Sequence, residues 1–169
     1  MNKLIALALD RKKIISTTQF IALIGVATVV PLFHQQMITG PIVNATLFIA
    51  AMLLGTQRGI FVGLIPSVVA FSAGLLSPAL APMVPYIMIS NAILILTFNF
   101  LKDKNFWLAV GLSSFMKFLF LFSTSSLVLN LLLKKELADS VAIMMSWPQL
   151  ITALTGGTIA WAFFRKIQR

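Results

Sequence analysis

Six apolar runs, set apart by short clusters of lysine and arginine, constrain this chain more than any other feature. They cover residues 14–33, 42–55, 59–76, 83–101, 106–133 and about 141–164. A helix needs roughly 20 mostly apolar residues to cross the hydrocarbon of a bilayer, with a range of about 17–25. The second run is short and borrows Gly40-Pro41 or part of the next turn, whereas the fifth is long enough to tilt or to project beyond the bilayer. Across 169 residues, 59% are hydrophobic and 10% charged. A soluble domain is nearer 45–50% apolar and about 25% charged, and a fold this small would leave much of the excess apolar surface in water. The expected fold is therefore an all-α integral membrane protein, a bundle of six transmembrane helices.

Helices are expected over strands because backbone groups in hydrocarbon must be paired internally, which leaves only helices and closed barrels. Barrel strands alternate apolar and polar residues, and Ala92-Ile93-Leu94-Ile95-Leu96 does not alternate.

The charges set the direction. With six crossings, Lys3, Arg11, Lys12, Lys13, Arg58, Lys102, Lys104, Arg165, Lys166 and Arg169 all fall on one side. The other side holds Lys134 and Lys135, offset by Glu136 and Asp139. The positive-inside rule places the first set, and with it both termini, in the cytoplasm. Residues 1–13 are then a cytoplasmic N-terminal segment in the form of a short surface helix, 14–164 the six-helix domain, and 165–169 a cytoplasmic tail. The apolar stretch at 4–9 is too short for a secretory signal, which needs about 7–15 apolar residues and a cleavage site. The location implied is the cytoplasmic membrane of a bacterial-type cell, multi-pass. The net charge of +9 is accounted for by this orientation and does not call for nucleic acid as a partner; membrane lipid is the partner expected.

Lys117 is the most informative residue. It lies 11 positions into the fifth run, about 16 Å at 1.5 Å per residue, near the middle of a core about 30 Å thick. Placing lysine there costs about 2.5–3.5 kcal/mol on insertion scales, and no run contains an Asp or Glu to pair with it. Three readings stand: a cation facing a cavity and an anionic ligand group, an ammonium held by carbonyls and hydroxyls or snorkelling toward the cytoplasm, or contact with a partner subunit. Thr124 shares its helix face, and Ser123, Ser126 and Asn130 form a second stripe. A Ser or Thr hydroxyl can satisfy itself on the carbonyl one turn back, whereas Asn130 needs a partner or water. In the sixth run, Gln149, Thr152, Ala153 and Gly156 share a face, Trp147 is an interface anchor or a stacking wall, and Pro148 is positioned to kink the helix. Tyr86, Ser90 and Asn91 are the outer polar residues of the fourth run. Their clustering in the outer halves of spans four to six points to one pocket open to the outside.

Small residues at intervals of four mark packing faces: Gly59, Gly63 and Ser67 in the third run, and Ala153 with Gly157 and Gly156 with Ala160 in the sixth. These serve packing within the bundle or a face on a partner protein. No catalytic motif is present. With one histidine and no cysteine, metal sites and most hydrolytic sites lack their groups. There is no phosphate loop, and no cofactor is expected.

The stretch Gly40-Pro41-Ile42-Val43-Asn44-Ala45-Thr46, continuing through Leu54-Gly55-Thr56-Gln57-Arg58-Gly59 to Gly63, resembles the substrate-binding S components of energy-coupling factor (ECF) vitamin transporters. The resemblance also rests on size and six-span layout, and it covers most of the chain. It implies a non-enzymatic subunit that binds a vitamin or similar small-molecule nutrient at the outer face. It further implies docking on a membrane coupling subunit and two ATPase subunits. By position, His34, Gln35 and Gln36 would form a lid, and Asn91, Asn130, Trp147 and Gln149 would line the pocket. The family often carries Ala-x-x-x-Ala in the first span for docking; here the nearest match is Thr18-x-x-x-Ala22, followed by Gly25 and Ala27, with Gly59 and Gly63 as further small residues. The rival expectation is a non-catalytic membrane scaffold resembling the MreD family, which predicts no outer pocket.

Overall fold

The computed structural model of the protein describes residues 2–33, 35–72, 74, 78–132 and 141–167, with side chains described except at 2–9, 70, 78–80, 127 and 129–132. All elements among the described residues are helical. They are α1 (Asn2–Val29), α2 (Gln36–Ser72), α3 (Val84–Leu101), α4 (Phe106–Leu132) and α5 (Trp147–Ile167), with short 3-10 turns at Val30–Phe33 and Pro78–Met83 and a helical stretch at 141–144.

Among the described residues there are thus five long helices where six were expected. The expected second and third spans form one element of 37 residues, interrupted only at Gly55, whose φ of 78° and ψ of −177° are not helical. The chain doubles back there. A Cβ on Gly59 would sit 3.4 Å from the backbone of Ala51, and one on Gly63 would sit 3.4 Å from Leu47 Cδ2. Both pairs are centred on residue 55, the signature of an antiparallel helical hairpin with a one-residue turn. That φ/ψ combination is essentially restricted to glycine and costs another residue about 1–3 kcal/mol. Gly55→Ala is therefore expected to lower stability by about 1–3 kcal/mol in a detergent unfolding titration; an unchanged midpoint would mean the reversal does not need glycine.

Two other boundaries differ from expectation. Helix α1 runs unbroken from Asn2 through Val29, so no separate surface helix precedes the first span. The expected sixth span is helical at 141–144, breaks at 145–146 and resumes as α5 at Trp147. Pro148 is its second residue, where a missing N–H is harmless, directly after the break between the two helical stretches. Among the described residues, four segments are long and apolar enough to cross a membrane: Asp10–Phe33, Gln36–Val69, Ala81–Leu101 and Phe106–Ser126.

Helix α2 is the hub, packing against α1, α3 and α5, while α3 and α5 both pack on α4. Phe48, Phe98, Leu47, Leu94, Ile95, Val62 and Val110 form the main core, with Phe48 and Phe98 edge to face at 4.9 Å between ring centres. A second cluster, Met83, Leu121, Val128, Val141 and Met145, ties the short segment before α5 to α3 and α4.

Helix α4 shows what solvent the fold is built for. Leu108, Leu112, Phe115, Leu119 and Phe122 recur at helical spacing and face outward, whereas Ser113, Ser114, Lys117 and Ser125 face inward. This is an inside-out amphipathic helix, the reverse of the pattern that water selects. Phe33 and Phe100, 71% and 77% exposed, belong to the same outer surface. An outer surface this apolar suits lipid and would aggregate in water.

The basic residues collect at one end. Arg58, just past the Gly55 turn, donates to the Ser16 hydroxyl on α1. Trp107 at the start of α4 and Trp161 near the end of α5 have ring centres 5.5 Å apart, and the Arg165 guanidinium covers Trp161.

Candidate ligand-binding cavity

Three helices each bring one polar side chain to a common point in the interior. Lys117 of α4 is 4% exposed, Asn44 of the first limb of α2 is 2% exposed, and Asn91 of α3 is 5% exposed. The Lys117 Nζ donates to Asn44 Oδ1 at 2.7 Å and to Asn91 Oδ1 at 2.8 Å. Among the described residues the acidic side chains are Asp10 and Asp103, both exposed. The ammonium is thus neutralised by no carboxylate there and rests on amide dipoles.

The two asparagines are oriented from behind. Asn44 Nδ2 donates to the Gly40 carbonyl at 2.9 Å and to Thr152 Oγ1 at 3.4 Å. Asn91 Nδ2 donates to the Gly63 carbonyl at 3.0 Å. Because an amide presents donors on nitrogen and acceptors on oxygen, these contacts leave both Oδ1 atoms aimed at the lysine. The Thr152 hydroxyl in turn donates to the Gln149 carbonyl at 3.2 Å, joining α5 to the network. Small residues make this closeness possible. A Cβ on Gly156 would lie 2.7 Å from both Ala45 N and Asn44 Cβ, and one on Gly40 would lie 2.8 Å from Thr152 Cγ2. Helices α2 and α5 therefore meet backbone to backbone.

Above the lysine lies a cavity of about 190 Å³. Its walls are mostly apolar, with Val43, Leu47, Val62, Pro66, Val84 and Ile87 among them, and Lys117, Asn44 and Asn91 supply the polar floor. The lining climbs α2 from Leu47 through Asn44 and Val43 to Thr39, a rise of about 12 Å. Pro31, Ser67, Val84 and Gln149 also line it, each within a few residues of a helix end. The cavity thus leads to the end of the bundle opposite the basic cluster. Near that end the side-chain amides of Gln36 and Gln149 both donate to the Met144 carbonyl, at 2.7 and 3.1 Å.

Of the expected pocket residues, Lys117, Asn91 and Gln149 line this cavity. Thr152 stands one layer behind, as a partner of Asn44. Thr124 is half-buried, away from the lining, with its hydroxyl on the Phe120 carbonyl at 2.7 Å. Trp147 is 57% exposed on the outer surface. The side chain of Asn130 and the whole of His34 lie outside the described residues. Of the lid residues, Gln35 is exposed and Gln36 is the one held on Met144. Thr18, Ala22 and Gly25 are exposed on α1, and Gly25 has open space around it. Gly59 and Gly63 are buried against Ala51, Leu47, Asn91 and Ile95, so they serve the packing of the bundle and present no docking face.

Asn44 is the site residue that sequence reasoning did not single out. The signal was present: a buried lysine without an acid must find carbonyl oxygens, and Asn44 and Asn91 sit in apolar runs. Among the described residues no group of acidic, His or Cys side chains could hold a metal. Set against known proteins, the chain matches no family model, no curated protein and no solved structure.

Proposed function

We propose that this protein is the substrate-binding membrane subunit of an ECF-type importer, capturing a vitamin or similar micronutrient at the outer face. The observation that carries the reading is the cavity above Lys117, an apolar pocket with a few fixed polar groups, the form usual for a small-molecule site. Its place at the end remote from the basic residues adds support, because positive-inside orientation makes that end external. So does the stretch that resembles ECF S components, since its hairpin supplies Asn44, Leu47 and Gly63 to the floor and wall.

In this reading the two limbs of α2 each cross the bilayer, giving six crossings with both termini in the cytoplasm. The subunit carries no chemistry of its own; a coupling membrane subunit and two ATPases supply the energy. The exposed small residues Thr18, Ala22 and Gly25 on α1 are the proposed docking surface.

The test combines topology with ligand capture. The chain has no cysteine, so single cysteines report cleanly. Gln35→Cys is expected to react with a membrane-impermeant maleimide from outside intact cells, and Lys104→Cys only after lysis. Native mass spectrometry of the detergent-purified protein, followed by thermal-shift assays with a vitamin panel, is expected to reveal one bound nutrient. An empty protein that answers to no vitamin, yet isolates in a stable membrane complex without ATPases, would replace this reading with the scaffold resembling the MreD family.

A further inference from the structure

We propose that the cavity selects a small ligand with a single carboxylate head and an apolar body, the head seated on Lys117 and the body pointing to the mouth. The inference rests on the reading of the cavity as a ligand site and adds the chemistry of what fills it.

The argument starts from proton count. An ammonium has three donors, and two of those on Lys117 are taken by Asn44 and Asn91. One remains, on a buried cation that lines the cavity and has no acid partner among the described residues. A buried unbalanced charge is strongly unfavourable, so an anionic guest gains more there than in water, where the same contact is screened.

The charge of the guest follows from the same count. One cation balances one negative charge. A phosphate brings about two charges and three strong acceptor oxygens, and the floor is short of donors for them: Asn44 Nδ2 spends both protons on Gly40 and Thr152 and Asn91 Nδ2 one of its two on Gly63, which leaves one amide proton beside the single lysine proton. A carboxylate needs less, taking the free lysine proton on one oxygen. The body of the guest is set by the walls. Gln149 gives an amide proton to Met144 and Thr39 its hydroxyl to the Gln35 carbonyl, and apart from Ser67 the sides are formed mainly by valine, leucine, isoleucine and proline. A cavity of about 190 Å³ is somewhat larger than the roughly 150 Å³ apolar cavity that takes a benzene ring, which limits the guest to a short chain or one ring.

The test uses the purified full-length protein in detergent. Thermal shift and isothermal titration are run with benzoate, 3-phenylpropionate and hexanoate, each against its neutral amide, and with decanoate to represent a lipid-derived acid. At least one of the short carboxylates is expected to bind ten times tighter than its amide, and Lys117→Met to erase that difference. Asn44→Asp is a second variant that keeps the shape of the floor but supplies an internal carboxylate to Lys117. It is expected to fold, because the ion pair formed with Lys117 offsets the donor bond lost to the Gly40 carbonyl, and to lose carboxylate binding tenfold or more, so the conclusion does not hang on whether Lys117→Met folds. Equal affinity for acids and amides, unchanged carboxylate affinity in Asn44→Asp, tightest binding by decanoate, or no response to any carboxylate at 10 mM would each overturn the proposal. A neutral vitamin found bound by native mass spectrometry would overturn the carboxylate assignment while leaving the importer reading standing. Selective carboxylate binding by a protein that never associates with ATPases would do the reverse.

Discussion

Replacing both Asn44 and Asn91 with leucine is expected to lower stability by about 3–5 kcal/mol, and adding Lys117→Met to the pair is expected to restore most of that loss. The first number is typical of leaving a buried charge without its partners. The two carbonyl oxygens are the only acceptors on the Lys117 ammonium among the described residues, and leucine keeps the volume while removing both. The restoration follows because an apolar cluster of similar size is often as stable as the polar one it replaces. The measurement is a double-mutant cycle read by denaturant or SDS unfolding. If the triple variant were no more stable than the asparagine double variant, the lysine would not be resting on these amides. The three groups, on this account, add little net stability and are retained for what the lysine does in the cavity.

The second large effect is expected at the crossing of α2 and α5. Gly156→Ala would place a methyl group 2.7 Å from Ala45 N and from Asn44 Cβ, and 2.9 Å from the Pro41 carbonyl oxygen. Backbone atoms of a helix cannot yield as a flexible side chain can, so the cost lies at the upper end of the usual overpacking range, about 2–3 kcal/mol. Gly156→Val is expected to exceed it. The damage would not stay local. Moving α5 off α2 takes Thr152 from Asn44, so ligand affinity should fall along with the unfolding midpoint. Gly111→Ala is the control, because nothing stands within 4 Å of the added carbon and alanine is the better helix former by about 1 kcal/mol. Equal behaviour of the two alanine variants would contradict the packing described here.

Much of the fold was legible in the sequence, for a definite reason. Hydrocarbon demands long apolar helices, and helix α3, expected at 83–101 and found at Val84–Leu101, carries that demand in most of its residues. What escaped was governed by single residues. The expected second span ends at 55 and the third begins at 59, yet one positive φ at Gly55 accomplishes the reversal with helix on both sides. Hydropathy does not report backbone angles. The sixth run is helical from 141 as its composition suggests, but a break at 145–146 separates that turn from α5, because Pro148 sits best in a first turn.

The site was legible in part. The depth and lack of acids around Lys117 followed from counting residues, and Asn91 and Gln149 from their unusual polarity. Thr124 was grouped with Lys117 by helical period, which fixes direction to within a few tens of degrees and not which atoms meet; its hydroxyl is satisfied on its own helix. Asn44 was missed because its partner is on a helix 73 positions away, and periodicity within one helix is silent about its neighbours.

The Gly55 reversal has a bearing on the order in which the molecule is put together. Its two limbs are adjacent in sequence as well as in space, so their pairing closes almost no loop and carries little entropic penalty. During synthesis, which proceeds from the N-terminus, this hairpin is complete before α3 exists. It already holds Asn44 and the Gly63 carbonyl that later orients Asn91. Asn91 arrives next, then Lys117, and α5 closes the assembly through Thr152 and Gly156. The floor of the cavity is thus laid down in chain order, and the charged residue enters the membrane only after both of its acceptors have been synthesised.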